Sequence, residues 1–416
     1  MAVIRPFNAL RPSPEVALRV ASVPYDVVNT EEAAELASGN NLSFLRITRS
    51  EIEFASDKNP YDPDIYTRAK ENLNRIISEA PLITESEPSF YVYSLTMDGR
   101  TQNGICATFS VDDYDNNIIL KHEKTRKVKE DDRTNHIVTT GAQTGVVFLT
   151  YKGVKSVNDV VAEVKKDEPL YDITPGDGIR HQVWRVKSEF NKIIINEIAG
   201  VQNLYIADGH HRAASASRAR AVRKDNNPAH NGSEEYNYFI AVLFPAEELK
   251  ILDYNRVIHD LNGLSKDEFL KRIAEDFEVT PSAEKKPAAP RTYGMYLDKT
   301  WYSLKLSSKH IRDGKIEGAE SVGDSLDVSV LQNFLLNPVL GIDDPRTNKR
   351  IDFVGGIRGM AELEKLVDSG KFAVAFSLYP VSLDDLMNIS DAGEIMPPKS
   401  TWFEPKLRDG LLTHLI

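Results

Sequence analysis

The sequence predicts a mixed α/β (α+β) fold, with helices and strands intermixed along the chain. Apolar residues recur at helical spacing over residues 64–80, which predicts an amphipathic helix. Strand-like runs at residues 89–97 and 101–111 flank an Asp-Gly dipeptide, a turn signal typical of a two-residue β-hairpin. An apolar run at residues 204–207 leads through a second Asp-Gly dipeptide into a helix rich in alanine and arginine. Together these three segments predict a fold in which helices and strands are mixed.

The remaining elements follow from helical spacing and from short apolar runs. Further helices are predicted at residues 30–37, 153–166, 187–198, 213–223, 265–277, 327–336 and 360–369. Further strands are predicted at residues 145–151, 181–187, 236–245, 293–298, 301–306, 351–354 and 372–379. Thr30 is predicted to cap the first of these helices, and Ser265 with Glu268 predicts a capping box on another. The last strand, helix and strand predict a β-α-β unit with a right-handed crossover.

The length of 416 residues predicts two or three domains. Residues 281–290 are rich in proline and alanine without apolar periodicity, which indicates a linker or a long loop. We predict an N-terminal α/β subdomain at residues 1–111 and a core at residues 112–250. A C-terminal α/β subdomain at residues 251–416 is expected to pack on that core.

The chain is acidic, with 51 Lys and Arg against 62 Asp and Glu and a net charge of −11. This balance argues against a general binder of nucleic acid or of anionic membranes. No apolar run reaches the roughly 20 residues of a membrane span, and the N-terminal residues lack a signal-peptide pattern. The single cysteine, Cys106, excludes an internal disulfide and lies in a predicted core strand. We therefore expect a soluble cytoplasmic protein without a membrane partner.

The most informative motif is Ala-Asp-Gly-His-His-Arg at residues 207–212. Gly209 permits a tight turn after the strand, and the helix that follows offers free backbone N–H groups to an anion. Arg212, in the first turn, could bind two phosphate oxygens. Asp208 could take a proton, hold a metal ion or orient a histidine. The alternative is a structural strand–turn–helix corner without a ligand.

His210 and His211 add two titratable hydrogen-bond donors to this motif. They are a poor zinc pair, because adjacent residues on a helix diverge by about 100°. A second motif, His-Glu-Lys-Thr, contains His122 and Glu123. Glu123 could act as a general base, and His122 could orient it or contact phosphate. The alternative for this segment is a solvated charged loop.

Three other segments are weaker candidates. Tyr25 and Asp26 follow a proline that favours a turn at a strand edge. The glycines of residues 355–359 suit either a backbone anion cradle or a close turn, without the spacing of a dinucleotide fingerprint. Residues 396–410 are basic, aromatic and rich in proline, as in a tail laid across a cleft or docked on a core. Walker A, nucleophile-elbow and protein-kinase motifs are absent from the sequence.

The segments PYDVV, HEKT, ADGHHR, FVGGIRG and PPKSTWFEPKLRDGL resemble a family of bacterial proteins catalogued as a domain of unknown function. That family is similar, more distantly, to the ParB/sulfiredoxin-like superfamily, which includes free serine kinases that phosphorylate L-serine with ADP or ATP. The resemblance implies a ParB/sulfiredoxin-like core with additional N- and C-terminal α/β subdomains. It also implies ATP or ADP as a cofactor, with Mg²⁺, and a small-molecule substrate as partner.

The resemblance assigns roles to individual residues. Gly209, His210, His211 and Arg212 match the phosphate-binding turn, and His122 is expected to lie beside the phosphates. Asp208 matches the leading acidic position of the kinases, and Glu123 is the expected base that takes the hydroxyl proton of the acceptor. The expected catalytic residues are therefore Glu123, Asp208 and His210. Arg133 and Lys399, with Tyr25 and Asp26, are candidates for holding the amino and carboxylate groups of an acceptor.

Two departures narrow the expected function. A sulfiredoxin carries a reactive cysteine in this turn, where the chain has His210. A ParB protein carries a helix-turn-helix region, for which the sequence offers no clear equivalent. The expected function is therefore a small-molecule phosphotransferase similar to free L-serine kinase. The alternatives are a nucleotide- or metabolite-binding regulator without turnover and, third, a ParB-like DNA-associated switch.

Overall fold

The computed structural model describes residues 1–79 and 82–416 and confirms a mixed α and β fold. The chain forms two compact units, one of Met1–Leu249 with Pro405–Ile416 and the other of Lys250–Glu404. Within the described ranges, no helix has both the length and the apolar character that crossing a membrane requires.

The two units differ from the predicted subdomains in two respects. The predicted boundary at residue 111 falls inside the first unit, because the strand that ends at Ser110 pairs with a strand that begins at Tyr238. Residues 405–416, predicted to belong to the C-terminal subdomain, are part of the first unit instead. The other predicted boundary, at residue 250, lies one residue from the observed one. Pairing between distant strands is the physical reason for both differences.

The first unit contains most of the strands and helices of the chain. Its strands up to residue 249 are β1 (Ile4–Arg5), β2 (Leu10–Pro12), β3 (Leu82–Thr84), β4 (Tyr91–Met97), β5 (Arg100–Ser110), β6 (Ile119–Leu120), β7 (Ala142–Gln143), β8 (Val147–Tyr151), β9 (Tyr171–Ile173), β10 (Arg180–Arg185), β11 (Leu204–Asp208) and β12 (Tyr238–Pro245). Its helices are α1 (Pro14–Val20), α2 (Thr30–Leu36), α3 (Leu45–Thr48), α4 (Pro63–Glu79), α5 (Val111–Asp115), α6 (Lys127–Thr140), α7 (Lys155–Val164), α8 (Asn191–Ala199) and α9 (His210–Asp225).

The main sheet of this unit has the strand order β6-β11-β8-β12-β5-β4-β10-β9, and β1 pairs with β5. Strands β6 and β11 run parallel, as do β8 and β12, whereas the other neighbours are antiparallel. Strands β8 and β12 are buried over nearly their whole length, which explains their almost continuous apolar sequence. Because β6 and β11 are parallel neighbours, the segments that follow them leave the sheet at the same edge.

The core of the first unit lies between this sheet and the helices packed on it. Leu149 and Leu243 of the central strands share it with Val157 of α7, Ile194 of α8 and Ala213 of α9. The amphipathic helix α4 packs mainly against α6 and α3 and buries its apolar stripe there. Its predicted last residue, at position 80, lies outside the described residues. Cys106 is fully buried in β5, which confirms the prediction that it is a core residue.

Gly104 in β5 gives a first test of this packing. An added Cβ would lie 2.6 Å from Val242 Cγ1 and 2.9 Å from the carbonyl oxygen of Leu243, so β5 and β12 would have to separate. We expect Gly104→Ala to lower the free energy of unfolding by about 1–3 kcal/mol, as overpacking typically does. The measurement is urea unfolding. Gly176→Ala, where an added Cβ has nothing within 4 Å, is the matched control and should change stability little. Equal effects of the two substitutions would contradict the packing described for β5.

The second unit is also mixed. Its strands are β13 (Ile251–Leu252), β14 (Tyr254–Ile258), β15 (Phe277–Pro281), β16 (Thr292–Leu297), β17 (Thr300–Leu306), β18 (Ile311–Arg312), β19 (Lys315–Ile316), β20 (Ile351–Gly355), β21 (Val374–Leu378) and β22 (Trp402–Phe403). Its helices are α10 (Lys266–Ile273), α11 (Asp327–Leu331), α12 (Gly359–Asp368) and α13 (Leu383–Asp391). The larger sheet has the order β15-β17-β16-β21-β14-β20.

Two sequence patterns of the second unit agree with its structure. Asp298 and Lys299 both have positive φ, as a two-residue hairpin turn between β16 and β17 requires. Strands β20 and β21 are each antiparallel to β14, so the predicted strand–helix–strand unit is formed with β14 between its two strands. The linker or long loop predicted at residues 281–290 corresponds to the last residue of β15, Pro281, and to most of the segment that connects β15 to β16 within this unit.

Helix boundaries differ from the predictions at several positions. The cap of α2 is Asn29 rather than Thr30, because the Asn29 side chain accepts the N–H of Glu32 and completes the capping box. The capping box of Ser265 is confirmed, but α10 ends at Ile273, and Phe277 begins β15. The arginine-rich helix begins three residues earlier than predicted, at His210.

The C-terminal segment of the first unit contains β23 (His414–Leu415), which pairs with β7. A buried polar cluster fixes this segment on β4 and β10. The backbone N–H of Arg408 donates to the hydroxyl of Tyr93 (3.3 Å), and Nδ1 of His181 lies 3.0 Å from the same oxygen. The Arg408 guanidinium also contacts the carboxylate of Asp177. Arg408 is thereby held against β4 and β10 of the main sheet.

Candidate functional site

The ADGHHR motif forms the corner between β11 and α9. Asp208 is the last residue of β11, and Gly209 turns the chain with a φ of +93°, a conformation that glycine adopts readily and L amino acids rarely adopt. Helix α9 begins at the next residue, His210, and is 16 residues long. Its first backbone N–H groups have no intrahelical partner and lie at the positive end of the helix dipole. The corner therefore has the backbone chemistry of an anion site.

Two histidines meet at this corner. The rings of His122 and His210 pack edge to face, with their centroids 4.4 Å apart. Burial lowers the pKa of His122 to about 4, with partial compensation by the charge of Asp208. Burial, followed by the neighbouring His122, also holds the pKa of His210 well below its usual range. Both rings are therefore neutral at pH 7, and each can donate one hydrogen bond.

Several buried nitrogens at this corner have no hydrogen-bond partner among residues 1–79 and 82–416, namely both ring nitrogens of His122, Nε of Arg212 and Nε2 of His210. The His210 side chain is 5% exposed. A buried polar atom without a partner costs free energy that a ligand can recover. At its other ring nitrogen, Nδ1, a carboxylate oxygen of Glu123 lies 3.8 Å away. His210 is thus placed between the buried corner and a carboxylate that is half exposed.

Glu123 reaches this position because of the sheet topology. It lies three residues beyond β6, and β6 is the parallel neighbour of β11. The segment after β6 and the start of α9 therefore occupy the same edge of the sheet. The structure places Glu123 beside His210, and it places His210 beside His122 and Asp208. The resemblance assigned these four residues to catalysis or to phosphate contact.

Arg212 is buried, and three elements share its guanidinium. It donates to Asp26 Oδ2 (3.2 Å), to Asp208 Oδ2 (3.1 Å) and to the carbonyl oxygen of Val146. Burial opposes the charge, but Asp26 and Asp208 raise the pKa of Arg212 above its usual value. The predicted role of Arg212 was to grip phosphate oxygens. In the structure its Nη atoms hold two carboxylates and a carbonyl, so Arg212 joins the N-terminal segment to β11 and to the residue before β8.

Asp208 lies between two cations. Its Oδ1 is 3.4 Å from Lys406 Nζ, and its Oδ2 accepts from Arg212. Although burial opposes ionisation, the charges of Lys406 and Arg212 hold the pKa of Asp208 well below its usual range. Asp208 is therefore a permanent carboxylate at neutral pH. Lys406 and Asp208 are 198 positions apart, so no local pattern pairs them.

His211 points away from the histidine pair toward the start of α6. Its Nε2 accepts the backbone N–H of Arg126 at 3.0 Å. Because Nε2 is an acceptor, the proton of the neutral ring resides on Nδ1. Burial also lowers the pKa of His211, which keeps the ring neutral. His211 thus ties the segment after Glu123 to α9.

The four candidate acceptor-binding residues are placed in different surroundings. Asp26 is the partner of Arg212, and Tyr25 is buried with the guanidinium of Arg133 over its ring at 4.3 Å. Arg133 also donates to the carboxylate of Asp132 (3.0 Å). Its guanidinium is therefore both packed on an aromatic ring and paired with a carboxylate. Lys399 belongs to the second unit, where its ammonium lies over the ring of Tyr254.

Asp409 is a buried carboxyl near the corner that sequence analysis did not single out. It lines a small cavity of about 20 Å³ together with Tyr25, Arg133 and Arg212. Burial raises the pKa of Asp409 to about 7, although the charge of Arg212 opposes that shift. Its position within the PPKSTWFEPKLRDGL segment was the available signal, since Asp409 and Glu404 are the two acidic residues of a stretch rich in basic and apolar residues.

The glycines of residues 355–359 have a packing explanation. A Cβ on Gly355 would lie 2.8 Å from the indole of Trp402, and one on Gly356 would lie 2.7 Å from the carbonyl oxygen of Asp253. The N–H of Gly356 also donates to that carbonyl oxygen at 2.7 Å. Within the second unit, Gly355 and Gly356 allow close contact between β20 and its neighbours. This packing agrees with the alternative of a close turn and not with an anion cradle.

The described residues do not suggest a resident metal centre. Among them, no group of three or more His, Cys, Asp or Glu side chains is arranged to hold a metal ion. Asp208, the residue considered for Mg²⁺, already has a cation at each carboxylate oxygen. A further divalent cation would have to displace Lys406 or Arg212. The site residues therefore do not fit a magnesium ion bound through Asp208.

Comparison with solved structures gives distant likenesses. A free serine kinase in complex with AMP is 12% identical, with a TM-score of 0.34, over 74% of this chain and 91% of that one. SbnI with a C-terminal truncation, from Staphylococcus aureus, is 12% identical with a TM-score of 0.39, over 74% and 87% of the two chains. A conserved hypothetical protein from Pyrococcus furiosus is 12% identical with a TM-score of 0.33, over 74% and 94%. At this level, the likenesses carry no argument about activity.

Comparison by sequence is more direct. No curated protein matches the chain. One family model does match, and its residues include the PYDVV, HEKT and ADGHHR segments, whereas FVGGIRG and the C-terminal motif lie beyond its end. The match covers residues 4–329, well over half of the chain, and the chain therefore belongs to the family described as "Protein of unknown function (DUF1015)".

Proposed function

We propose that the first unit is a small-molecule phosphotransferase. In this proposal, the β11–α9 corner binds the terminal phosphates of ADP or ATP, and Glu123 accepts the proton of an alcohol group on the acceptor. The observation that carries the proposal is the position of His210. Its Nε2 is buried without a partner at the start of α9, and its Nδ1 lies 3.8 Å from Glu123.

The phosphate side of the proposal rests on neutral donors. Helix α9 offers backbone N–H groups, and the neutral rings of His122 and His210 can each donate one hydrogen bond. Such donors stabilise a phosphate without placing a competing cation in the site. Arg212 and Lys406 act indirectly, because they neutralise Asp208 and so prevent its charge from repelling the ligand.

The acceptor side rests on Glu123. In the proposed step, the acceptor hydroxyl oxygen forms a bond to the terminal phosphorus, and the bond from that phosphorus to the bridging oxygen breaks. The hydroxyl proton passes to Glu123, and the shortened nucleotide leaves with the bonding electron pair. Most of the catalysis of such a transfer comes from positioning and charge stabilisation. A carboxylate beside the helix terminus supplies the base that the acceptor requires.

The test has two stages. A thermal-shift panel with ADP, ATP, CTP and pyrophosphate, each with and without Mg²⁺, first identifies the donor. A ligand at 100 times its Kd stabilises the native state by about 2.7 kcal/mol if it binds only that state. Product formation is then measured with L-serine and other small amino alcohols. Saturable nucleotide binding without any product would favour a non-catalytic regulator, and a complete lack of binding would contradict both functions.

Glu123→Gln tests the proposed base. We expect kcat to fall by about 100- to 10,000-fold, the usual contribution of a general base, with little change in nucleotide affinity. Glu189→Gln makes the same charge change at an exposed position of the segment between β10 and α8, and it should leave kcat unchanged. Unaltered phosphoryl transfer by Glu123→Gln would show that Glu123 is not the base.

A further inference from the structure

The first unit contains a second cavity at the other end of the strands that carry the candidate site. The cavity has a volume of about 340 Å³ and is bounded by α7, by the first half of β5 and by the ends of β8 and β12. This size is sufficient for a small organic ligand. Strand β11 runs antiparallel to β8, so that Asp208 is opposite Phe148, whereas Tyr151 at the other end of β8 lines the cavity.

The polar part of the cavity wall is organised around one amide. Asn103 Oδ1 accepts from Lys165 Nζ at 2.5 Å and from the hydroxyl of Ser94 at 2.9 Å. Glu248 Oε2 accepts from the Nδ2 of Asn103 at 3.0 Å and from its backbone N–H at 2.5 Å. The side chain of Asn103 therefore stands between an ammonium group and a carboxylate, both of which line the cavity.

Both charged groups are held in place. Arg100 donates to the carbonyl oxygens of Glu248 (2.9 Å) and Leu249 (2.7 Å), which fixes the backbone on the acidic side. Lys165 is half-buried, with its ammonium 5.5 Å from the ring centroid of Trp184. Burial lowers the pKa of Lys165, and the charge of Glu248 opposes that shift. A ligand carboxylate near Lys165 would also raise its pKa and favour its charged form.

The rest of the wall is apolar. It consists of aliphatic side chains from α7, β5 and β12, among them Ile105, Val157, Val161 and Leu243. A cavity with one ammonium, one carboxylate and an aliphatic wall is complementary to a molecule with the opposite charges on one end and a hydrocarbon group on the other. Charge-assisted hydrogen bonds would supply specificity at the charged end.

We propose that this cavity binds an α-amino acid with an aliphatic side chain, whose carboxylate pairs with Lys165 and whose ammonium pairs with Glu248. The site is separate from the β11–α9 corner. The inference does not rest on the proposed phosphotransferase activity, and no nucleotide is needed to test it.

The test is isothermal titration of the full chain with L-leucine and L-valine in the absence of nucleotide. Two analogues of leucine with a single charge, 4-methylpentanoate and 3-methylbutylamine, report on each end separately. We expect saturable binding of at least one amino acid and at least tenfold weaker binding of each analogue. Absence of amino-acid binding, or equal affinity for an analogue, would overturn the proposal.

Variants locate the binding in this cavity. Lys165→Met and Glu248→Gln should each weaken amino-acid binding at least tenfold. Ala162→Trp introduces bulk from an exposed position of α7 that lines the cavity, so it should block binding while the chain still folds. Lys155→Met, at an exposed position of the same helix, is the control and should bind as the unmodified chain does. Binding that survives both Lys165→Met and Ala162→Trp would place the ligand elsewhere and contradict the inference.

The outcome is distinguishable from that of the phosphotransferase proposal. Glu123→Gln should leave amino-acid titration unchanged, because Glu123 lies beyond β6 and does not line the cavity. Loss of amino-acid binding in Glu123→Gln would mean that the amino acid binds at the β11–α9 corner, and it would overturn the assignment to this cavity.

Discussion

Arg212→Met is expected to lower the free energy of unfolding by about 3 kcal/mol, the lower end of the range for breaking a buried ion pair. The guanidinium holds Asp26, Asp208 and the carbonyl oxygen of Val146 together, and the methionine side chain can replace none of those bonds. Two carboxylates would then face one another without their shared counter-charge. The measurement is urea unfolding at pH 7, followed by fluorescence and circular dichroism.

Arg220→Met is the matched control for this prediction because it removes an arginine from the same helix. Arg220 pairs with Asp112 (2.5 Å) and Asp115 (3.6 Å), both of which are considerably more exposed than Arg212. Surface pairs of this kind contribute at most about 1 kcal/mol. A loss of stability in Arg212→Met no greater than that in Arg220→Met would contradict the role of Arg212 as the link between the N-terminal segment and β11.

Asp409→Asn is expected to remove a pH dependence of stability. Burial raises the pKa of Asp409 to about 7 in the folded chain, against about 3.9 for an unfolded aspartate. The folded state therefore holds this proton more tightly than the unfolded state does. The resulting stabilisation is complete below pH 4 and is lost as the pH rises through about 7. Three units of pKa correspond to about 4 kcal/mol.

Asparagine imitates the protonated carboxyl, so the variant and the unmodified chain should be similarly stable near pH 4. At pH 8 the variant should be more stable, by up to about 4 kcal/mol. Urea unfolding at pH 4, 6, 7 and 8 gives the difference between the two chains. Asp57→Asn, at an exposed position, controls for the general effect of losing a charge. A difference for Asp409→Asn that does not change with pH would contradict the buried, protonated state of this carboxyl.

The elements that could be predicted from sequence are those with short-range causes. The hairpin turn at Asp298 and Lys299 and the capping box of Ser265 depend on residues at most three positions apart, and both are present. The error in the predicted cap of α2 also arises from interactions between residues close together in sequence. Asn29 and Thr30 are both good caps by type, and only the reciprocal bond with Glu32 distinguishes them.

The division into units could not be predicted from local pattern. Strand β5 pairs with β12, more than a hundred positions later, and that pairing places the predicted boundary at residue 111 inside a sheet. The return of residues 405–416 to the first unit is likewise a non-local event, fixed by contacts such as that of Arg408 with Tyr93. A single sequence contains no periodicity that reports such pairings.

The residues of the candidate site were likewise only partly predictable from sequence. The motifs placed Glu123 and His210 on separate segments, and parallel pairing of β6 with β11 explains why they meet. The motif did not show that Asp26 would occupy the guanidinium of Arg212, or that Lys406 would reach Asp208. These partners come from the two ends of the sequence, so their contribution is visible only in three dimensions.

The return of residues 405–416 also has a consequence for synthesis of the chain. Translation is vectorial, so the ribosome releases Lys406 and Asp409 only after all of Lys250–Glu404 has been made. Every strand of the main sheet and α9 have been synthesised before that point, whereas Asp208 still lacks its lysine neighbour and β7 still lacks β23. The corner at Gly209 therefore matures in a second stage, and chains stalled within the second unit carry a first unit whose site is incomplete.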